Sequence, residues 1–154
     1  MSRVFIGVGS NQGDRLEHIS KAARALGACD RVKLSRMATI IETAPIGPPQ
    51  GPYLNTVIEI DTSLAPRELL AALKGIERQF GRKPEGERWA PRPIDLDVLL
   101  YDDRVIDEPA LRIPHERMHE RWFVLEPLAQ LAPQWIHPVL HQSIAALLES
   151  LPNR

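Results

Sequence analysis

Apolar positions open the chain as a short run, Val4-Phe5-Ile6-Gly7-Val8-Gly9, which predicts a buried strand ended by the polar stretch Ser10-Asn11-Gln12-Gly13. Asp14 with Glu17 three residues on is a capping-box signal. Leu16, Ile19, Ala23 and Leu26 then recur at helical spacing until Gly27. Residues 32–42 are β-rich and partly alternating, and they read as a strand leading into a Pro/Gly loop over 44–52. Tyr53 to Ile60 alternates more cleanly. Leu54, Thr56, Ile58 and Ile60 share one face, while Tyr53, Asn55, Val57 and Glu59 share the other, which reads as the solvent side.

Pro66 suits the first turn of a second helix, whose stripe holds Leu69, Leu70, Leu73, Ile76 and Phe80 before Gly81. A basic, proline-bearing loop over 82–93 leads to a strand at 94–101. Asp102-Asp103 reads as a hairpin turn into a return strand at 104–106. After Pro114 the pattern gives irregular chain and two short helices, near 121–131 and 142–150. The order β-α-β-β-α-β predicts a ferredoxin-like α+β core with an antiparallel sheet. Helices are expected on one face, with an extra C-terminal hairpin and short helices after the core.

Composition bounds the class. With 154 residues, 44% apolar and 25% charged, the chain is expected to be one globular domain over 1–154. Nineteen basic against twenty acidic residues leave a charge of −1, so no global field draws it to nucleic acid or anionic lipid. Cys29 is the single cysteine, which rules out an internal disulfide. No apolar run approaches the length of about 20 residues needed to span a bilayer. The opening run is too brief for a signal-peptide core. A cytoplasmic protein is expected, without membrane association.

The strongest chemical signal is Arg88-Trp89-Ala90-Pro91-Arg92-Pro93-Ile94-Asp95-Leu96-Asp97-Val98-Leu99. On a strand, Ile94, Leu96 and Val98 would enter the core. Asp95 and Asp97 would stand together on the opposite face, roughly 7 Å apart at Cα. Two adjacent carboxylates repel unless a cation sits between them, and few hard oxygen ligands suit Mg²⁺ completed by substrate phosphates. An Asp-x-Asp alone is as readily a solvated strand face. Arg82, Lys83, Arg88 and Arg92 just upstream favour a phosphate site, because guanidinium forks hold transferring phosphate charge. Glu77 falls on the apolar stripe of the second helix, where a carboxylate needs a partner such as a loop arginine or backbone amides. Tyr53 with Asn55 two residues on could stack and hydrogen-bond a flat heterocycle, although cross-strand packing is the more ordinary use of such a tyrosine. The Gly9 to Asp14 stretch lacks the glycine spacing of phosphate loops and reads as a capped strand-to-helix turn. The histidines show no metal-ligand spacing with Cys29. His18, His119, His137 and His141 read as surface residues, and His115 as a possible second wall to the site.

Together these motifs resemble the 6-hydroxymethyl-7,8-dihydropterin pyrophosphokinase family. The resemblance is carried by Gly9-Ser10-Asn11, Thr43-x-Pro45-x-Gly47, Tyr53-Leu54-Asn55, Arg88-Trp89-x-Pro91-Arg92-x-x-Asp95-Leu96-Asp97, Pro114-His115 and Arg121-x-Phe123. It runs nearly end to end. It implies transfer of pyrophosphate from ATP to the hydroxymethyl oxygen of the reduced pterin, with release of AMP, in folate biosynthesis. Two Mg²⁺ ions would lie between Asp95 and Asp97 and the triphosphate, with Arg82 and Arg92 completing the catalytic set. The pterin would lie between Tyr53 and Phe123. Thr43, Ala44, Pro45, Ile46, Asn55 and Trp89 would surround it. ATP would meet Leu70, Lys74, Glu77, Arg82, Lys83, Trp89, Arg92, Val98, Leu111, Arg112, His115 and Arg121. Two positions depart from the family pattern: Pro84 stands where arginine is frequent, and Ala90 replaces a common glycine, stiffening a loop expected to close over substrates.

The β-α-β-β-α-β order also describes RNA-recognition domains, but eight aromatic residues and an acidic strand face do not suit that use. A nucleotide-binding regulator without catalysis is the other rival, and retention of both aspartates argues against it. No nucleic-acid partner is expected, and a monomer is.

Overall fold

The computed structural model describes residues 1–43, 52–80 and 93–152. The strand β1 (Ser2–Ser10) is followed by α1 (Arg15–Gly27), β2 (Val32–Met37), β3 (Ile41–Thr43) and β4 (Tyr53–Thr62). Next come α2 (Pro66–Gln79), β5 (Asp95–Tyr101), the pair β6 (Ile106–Glu108) and β7 (Leu111–Ile113), then α3 (Trp122–Leu131) and α4 (Ile144–Glu149).

The main sheet has the order β2-β4-β1-β5, with β3 also paired to β4. All the pairings are antiparallel. Each of the two β-α-β units is split by a strand of the other, which is the ferredoxin-like arrangement. The local signals that start the helices are in place. The Glu17 amide donates to the Asp14 carboxylate at 3.1 Å. At the second helix Pro66 takes the first position, and Glu68 reaches back to accept from the Ala65 amide at 2.8 Å. The apolar stripe of α1 is rotated from the expected one. Ile19, Ala22 and Leu26 are buried, whereas Leu16 is 55% exposed.

Helices cover both faces of the sheet, not one. On the first face Val4, Ile6, Val8, Ile58, Ile60, Leu96 and Val98 pack with Ile19 and Leu26 of α1 and Leu69, Leu73 and Ile76 of α2. On the second, Phe5, Val57, Leu99 and Leu100 pack with Leu125 and Leu128 of α3 and Ile144, Leu147 and Leu148 of α4. Each such buried aliphatic contributes roughly 1.5–3 kcal/mol. The register of β1 on β5 shifts between Phe5 and Ile6, so Phe5 faces Leu100 while Ile6 faces Val98. The extra residue, Leu99, is a bulge that lets Leu99 and Leu100 both serve the second core while Tyr101 returns to the first.

The second layer explains further departures from the sequence reading. Glu59 was expected to face solvent, yet it is 3% exposed, held by Arg3 at 2.5 Å and Arg36 at 2.7 Å. Arg3 lies over the ring of Trp135, and Arg36 also donates to the Leu131 carbonyl at the end of α3. The expected strand over 32–42 is two strands. Between them the Thr39 amide donates to the Gln130 side chain of α3, at 2.8 Å, instead of to a neighbouring strand. The return strand begins at 106, not 104, and pairs with β7 instead of β5. Asp102, at φ 49°, turns the chain away, and it exchanges hydrogen bonds with the backbone of Arg3. His137 is not a surface residue. It is 3% exposed, and its Nδ1 accepts from the amides of Val139 and Leu140. His18 is half-buried. Among the described residues no helix is long and apolar enough to cross a membrane.

Candidate active site

The acidic strand behaves as its pattern requires. Leu96 and Val98 are buried on the α1/α2 face, so Asp95 and Asp97 stand on the opposite one, Asp95 half-buried and Asp97 exposed. The first of these positions is fixed from beneath. Glu77 of α2, 5% exposed, accepts the Leu96 amide at 2.9 Å, which is the backbone-amide role expected for a carboxylate on that stripe.

Across the sheet, Gly9 of β1 pairs with Asp95 on one side and Asn55 of β4 on the other. Gly7 likewise stands between Asp97 and Val57. The central strand therefore carries no side chain at either position between the carboxylates and the Tyr53-Asn55 strand. Two strand spacings separate Asp95 from Asn55, about 10 Å. The space is used closely: a Cβ on Gly9 would stand 3.0 Å from Asn55 Oδ1 and 3.5 Å from the Tyr53 ring, and one on Gly7 would stand 3.2 Å from Leu99. In the sequence Gly7 was read only as part of the opening strand and Gly9 as part of that strand and of the Gly9-Ser10-Asn11 motif, and neither was assigned to the floor of the site. Two glycines at i and i+2 inside a strand, on the face of the acids, were the available signal.

Asn55 Nδ2 donates to the hydroxyl of buried Thr43 at 2.8 Å, which sets the amide and leaves Oδ1 as the acceptor over Gly9. At the other end of β5 the chain returns to the site. The His115 amide donates to the Leu99 carbonyl at 3.0 Å, and His115 Nδ1 accepts from the Arg117 amide at 3.3 Å. The neutral ring then carries its proton on Nε2 as a donor. Burial pushes the His115 pKa down. The Asp97 charge opposes that shift, and Arg121 reinforces it. Asp97, His115 and Arg121 thus share one electrostatic neighbourhood. Arg121 also occupies the N-cap position of α3, whose first turn carries Phe123.

Two carboxylates on one strand face supply two hard oxygen ligands. Among the described residues no set of three or more acidic, histidine or cysteine side chains could hold a metal. Two carboxylates suit Mg²⁺, which keeps waters and takes further ligands from phosphates. The residues present fit the ion.

A family model described as 7,8-dihydro-6-hydroxymethylpterin-pyrophosphokinase matches residues 5–133. The chain belongs to this family. The pyrophosphokinase relatives named 2-amino-4-hydroxy-6-hydroxymethyldihydropteridine pyrophosphokinase include one from Aquifex aeolicus, 39% identical over 145 residues, covering 94% of this chain and 89% of that protein. Another, from Bacillus subtilis, is 43% identical over 131 residues, covering 84% and 78%. Among solved structures, an HPPK-DHPS in complex with substrates superposes with a TM-score of 0.76 at 14% identity, over 97% of this chain and 43% of that one. Wild-type Plasmodium falciparum HPPK-DHPS with pterin and p-hydroxybenzoate gives 0.77 at 16%, over 96% and 42%. At such identities the likeness speaks for the fold, and this chain spans less than half of those solved chains.

The remaining pyrophosphokinase candidates divide by place. Leu70, Val98 and Leu111 belong to or pack against the α1/α2-side core, on the opposite side of β5 from the carboxylates. Lys74 is exposed on α2. Arg112 is exposed and engaged by Glu116 at 2.7 Å and Asp107 at 3.3 Å. Phe123 is half-buried, edge-on to Trp122. Ala44, Pro45, Ile46, Arg82, Lys83, Pro84, Trp89, Ala90 and Arg92 lie outside the described residues.

Proposed function

We propose that this chain transfers pyrophosphate from MgATP to 6-hydroxymethyl-7,8-dihydropterin, releasing AMP, on the sheet face that carries Asp95 and Asp97. Membership of the family makes it an ATP-dependent diphosphotransferase of folate biosynthesis. The observation that carries the placement is the glycine-floored gap over Gly7 and Gly9, with acids on one side and Tyr53 and Asn55 on the other.

In this reading Asp95 and Asp97 would hold two Mg²⁺ ions with the triphosphate. The ions supply charge neutralisation and alignment for in-line displacement. Tyr53 and Phe123 stack the pterin, and Asn55 Oδ1, set by Thr43, accepts from its polar edge. That places the hydroxymethyl group toward β5, where its oxygen attacks the β-phosphorus. The bond from that phosphorus to the α–β bridging oxygen breaks, AMP leaves with the bridging oxygen, and the hydroxyl proton passes to solvent. His115 Nε2–H and Arg121 stabilise phosphate charge from the end of β5, joined by Arg82 and Arg92. Leu70, Val98 and Leu111, packed on the other face of the edge strand β5, meet the nucleotide base only where it passes around that strand. All the groups named come from one chain and one domain over 1–154, so a monomer suffices, and the cytoplasm supplies both substrates.

A coupled assay checks the reading. AMP is expected only when Mg²⁺, ATP and 6-hydroxymethyl-7,8-dihydropterin are all present. ADP as the nucleotide product would mean phosphoryl transfer and would overturn it.

A further inference from the structure

The start of β5 is held by groups outside the site. Pro93 lies two residues before Asp95, and its carbonyl accepts the Ser10 hydroxyl at 2.5 Å. Ser10 is fully buried and ends β1, the strand whose Gly9 pairs with Asp95. Its oxygen also lies 3.5 Å from Nδ1 of His18 on α1. Because the single hydroxyl proton goes to the Pro93 carbonyl, the ring nitrogen is the donor toward Ser10. The same ring meets Phe80, the C-cap of α2, edge-on with centroids 5.6 Å apart. Gly13, at φ 65°, lets the turn pass beneath this ring, where a Cβ would stand 3.2 Å from His18 Cε1. The β1–α1 junction therefore touches both the residue where α2 stops and the residue that leads into β5.

We infer that Ser10, oriented by His18, is a positioning residue for the carboxylates of Asp95 and Asp97. The inference rests on the reading of those two as the metal ligands. Proline has no N–H, so the Pro93 carbonyl is that residue's one backbone hydrogen-bonding group. Without the hydroxyl that carbonyl loses its described partner, and among the described residues the entry to β5 keeps the core contacts of Ile94, the ladder bonds from Asp95 onward and the Glu77 bond to the Leu96 amide. Metal binding must then order the strand end itself, so affinity for the metal–nucleotide falls while the pterin wall on β4 keeps its geometry.

The test titrates Mg²⁺ into the full-length protein with the non-hydrolysable α,β-methylene analogue of ATP. Wild type, Ser10→Ala, His18→Leu and Asp97→Asn are compared, with melting temperatures recorded for each. Ser10→Ala is expected to raise the half-saturating Mg²⁺ concentration about tenfold, the scale of leaving a buried polar group unpaired. His18→Leu should raise it by a smaller factor, and serves in place of Ser10→Ala if that variant does not fold. The pterin dissociation constant, measured at saturating Mg²⁺ and analogue, is expected to stay within twofold of wild type in both. An unchanged Mg²⁺ requirement in folded Ser10→Ala overturns the inference, as does an equal weakening of both ligands in step with a lowered melting temperature. If Asp97→Asn also leaves the Mg²⁺ requirement unchanged, the reading of the metal ligands fails first. If only Asp97→Asn shifts it, the positioning role alone fails.

Discussion

Gly9→Ala is a one-methyl probe of the gap between the two walls of the site. The added Cβ would stand 3.0 Å from Asn55 Oδ1, closer than ordinary contact, with the Tyr53 ring at 3.5 Å and the Leu54 carbonyl at 3.8 Å. The Asn55 amide must give way by a few tenths of an ångström, and its bond to Thr43 at 2.8 Å is what that movement strains. Losing that bond costs about 0.5–1.5 kcal/mol, and displacing Oδ1 from the pterin edge costs about as much again. Together these, about 1–3 kcal/mol, predict a pterin dissociation constant raised roughly five- to 150-fold. Alanine suits a strand better than glycine, so the melting temperature should not fall with affinity. The assay is calorimetric titration of the pterin at saturating Mg²⁺ and methylene analogue, with nucleotide affinity measured separately. A pterin constant within twofold of wild type would refute the placement of the ring over Gly9.

Further outcomes follow from the same geometry. Phe123→Ala should weaken pterin binding about tenfold, from the 1–3 kcal/mol scale of stacking on an aromatic ring, and an unchanged constant would remove Phe123 from the site. Glu59→Ala should cost about 2 kcal/mol in urea unfolding. The carboxylate is buried, but its two arginine partners are nearly half exposed and can rehydrate. A loss below about 0.5 kcal/mol would mean that the ion cluster does not fasten α3 to the sheet. Burial, helped by His119 and His141, pushes the His137 pKa down. The unfolded chain then binds the proton more tightly, so stability is full above the unfolded pKa, about 6.5, and falls as pH drops through it. His137→Asn keeps an acceptor for the Val139 and Leu140 amides without that proton, and should flatten the decline in melting temperature between pH 7.5 and 5.5. An equally steep decline would assign the acid sensitivity elsewhere.

The core order was legible because each element carried its own period and its own punctuation. Asp14 and Pro66 marked helix starts, and Ile94, Leu96 and Val98 marked one strand face. The two C-terminal helices were read close to their places, at 122–131 and 144–149, but their packing over the second face of the sheet was not, because its evidence is non-local. Glu59 reads as a solvent residue until Arg3 and Arg36 arrive from other strands and Trp135 from beyond α3. His137 reads as a surface residue for the same reason, since its partners are amides of a turn that only tertiary packing closes. The β6–β7 pairing was missed because Asp102 uses a positive φ to leave the sheet, where a hairpin turn would have returned to it. The acids and the Tyr53-Asn55 pair were visible as types at period two. Their separation by a bare central strand needed the register of β1 against both neighbours.

The central claim is that Asp95 and Asp97 act as one unit on the transferring pyrophosphate. Single-turnover AMP release at saturating ATP and pterin, with circular dichroism confirming the fold, tests it most directly. Asp97→Ala and Asp95→Ala are each expected to lower the rate at least about a hundredfold, the scale of removing one electrostatic stabiliser of the transition state. The double variant should be far less damaged than the product of the two losses. A rate near wild type in either single variant would reduce that carboxylate to a solvated strand residue and contradict the account.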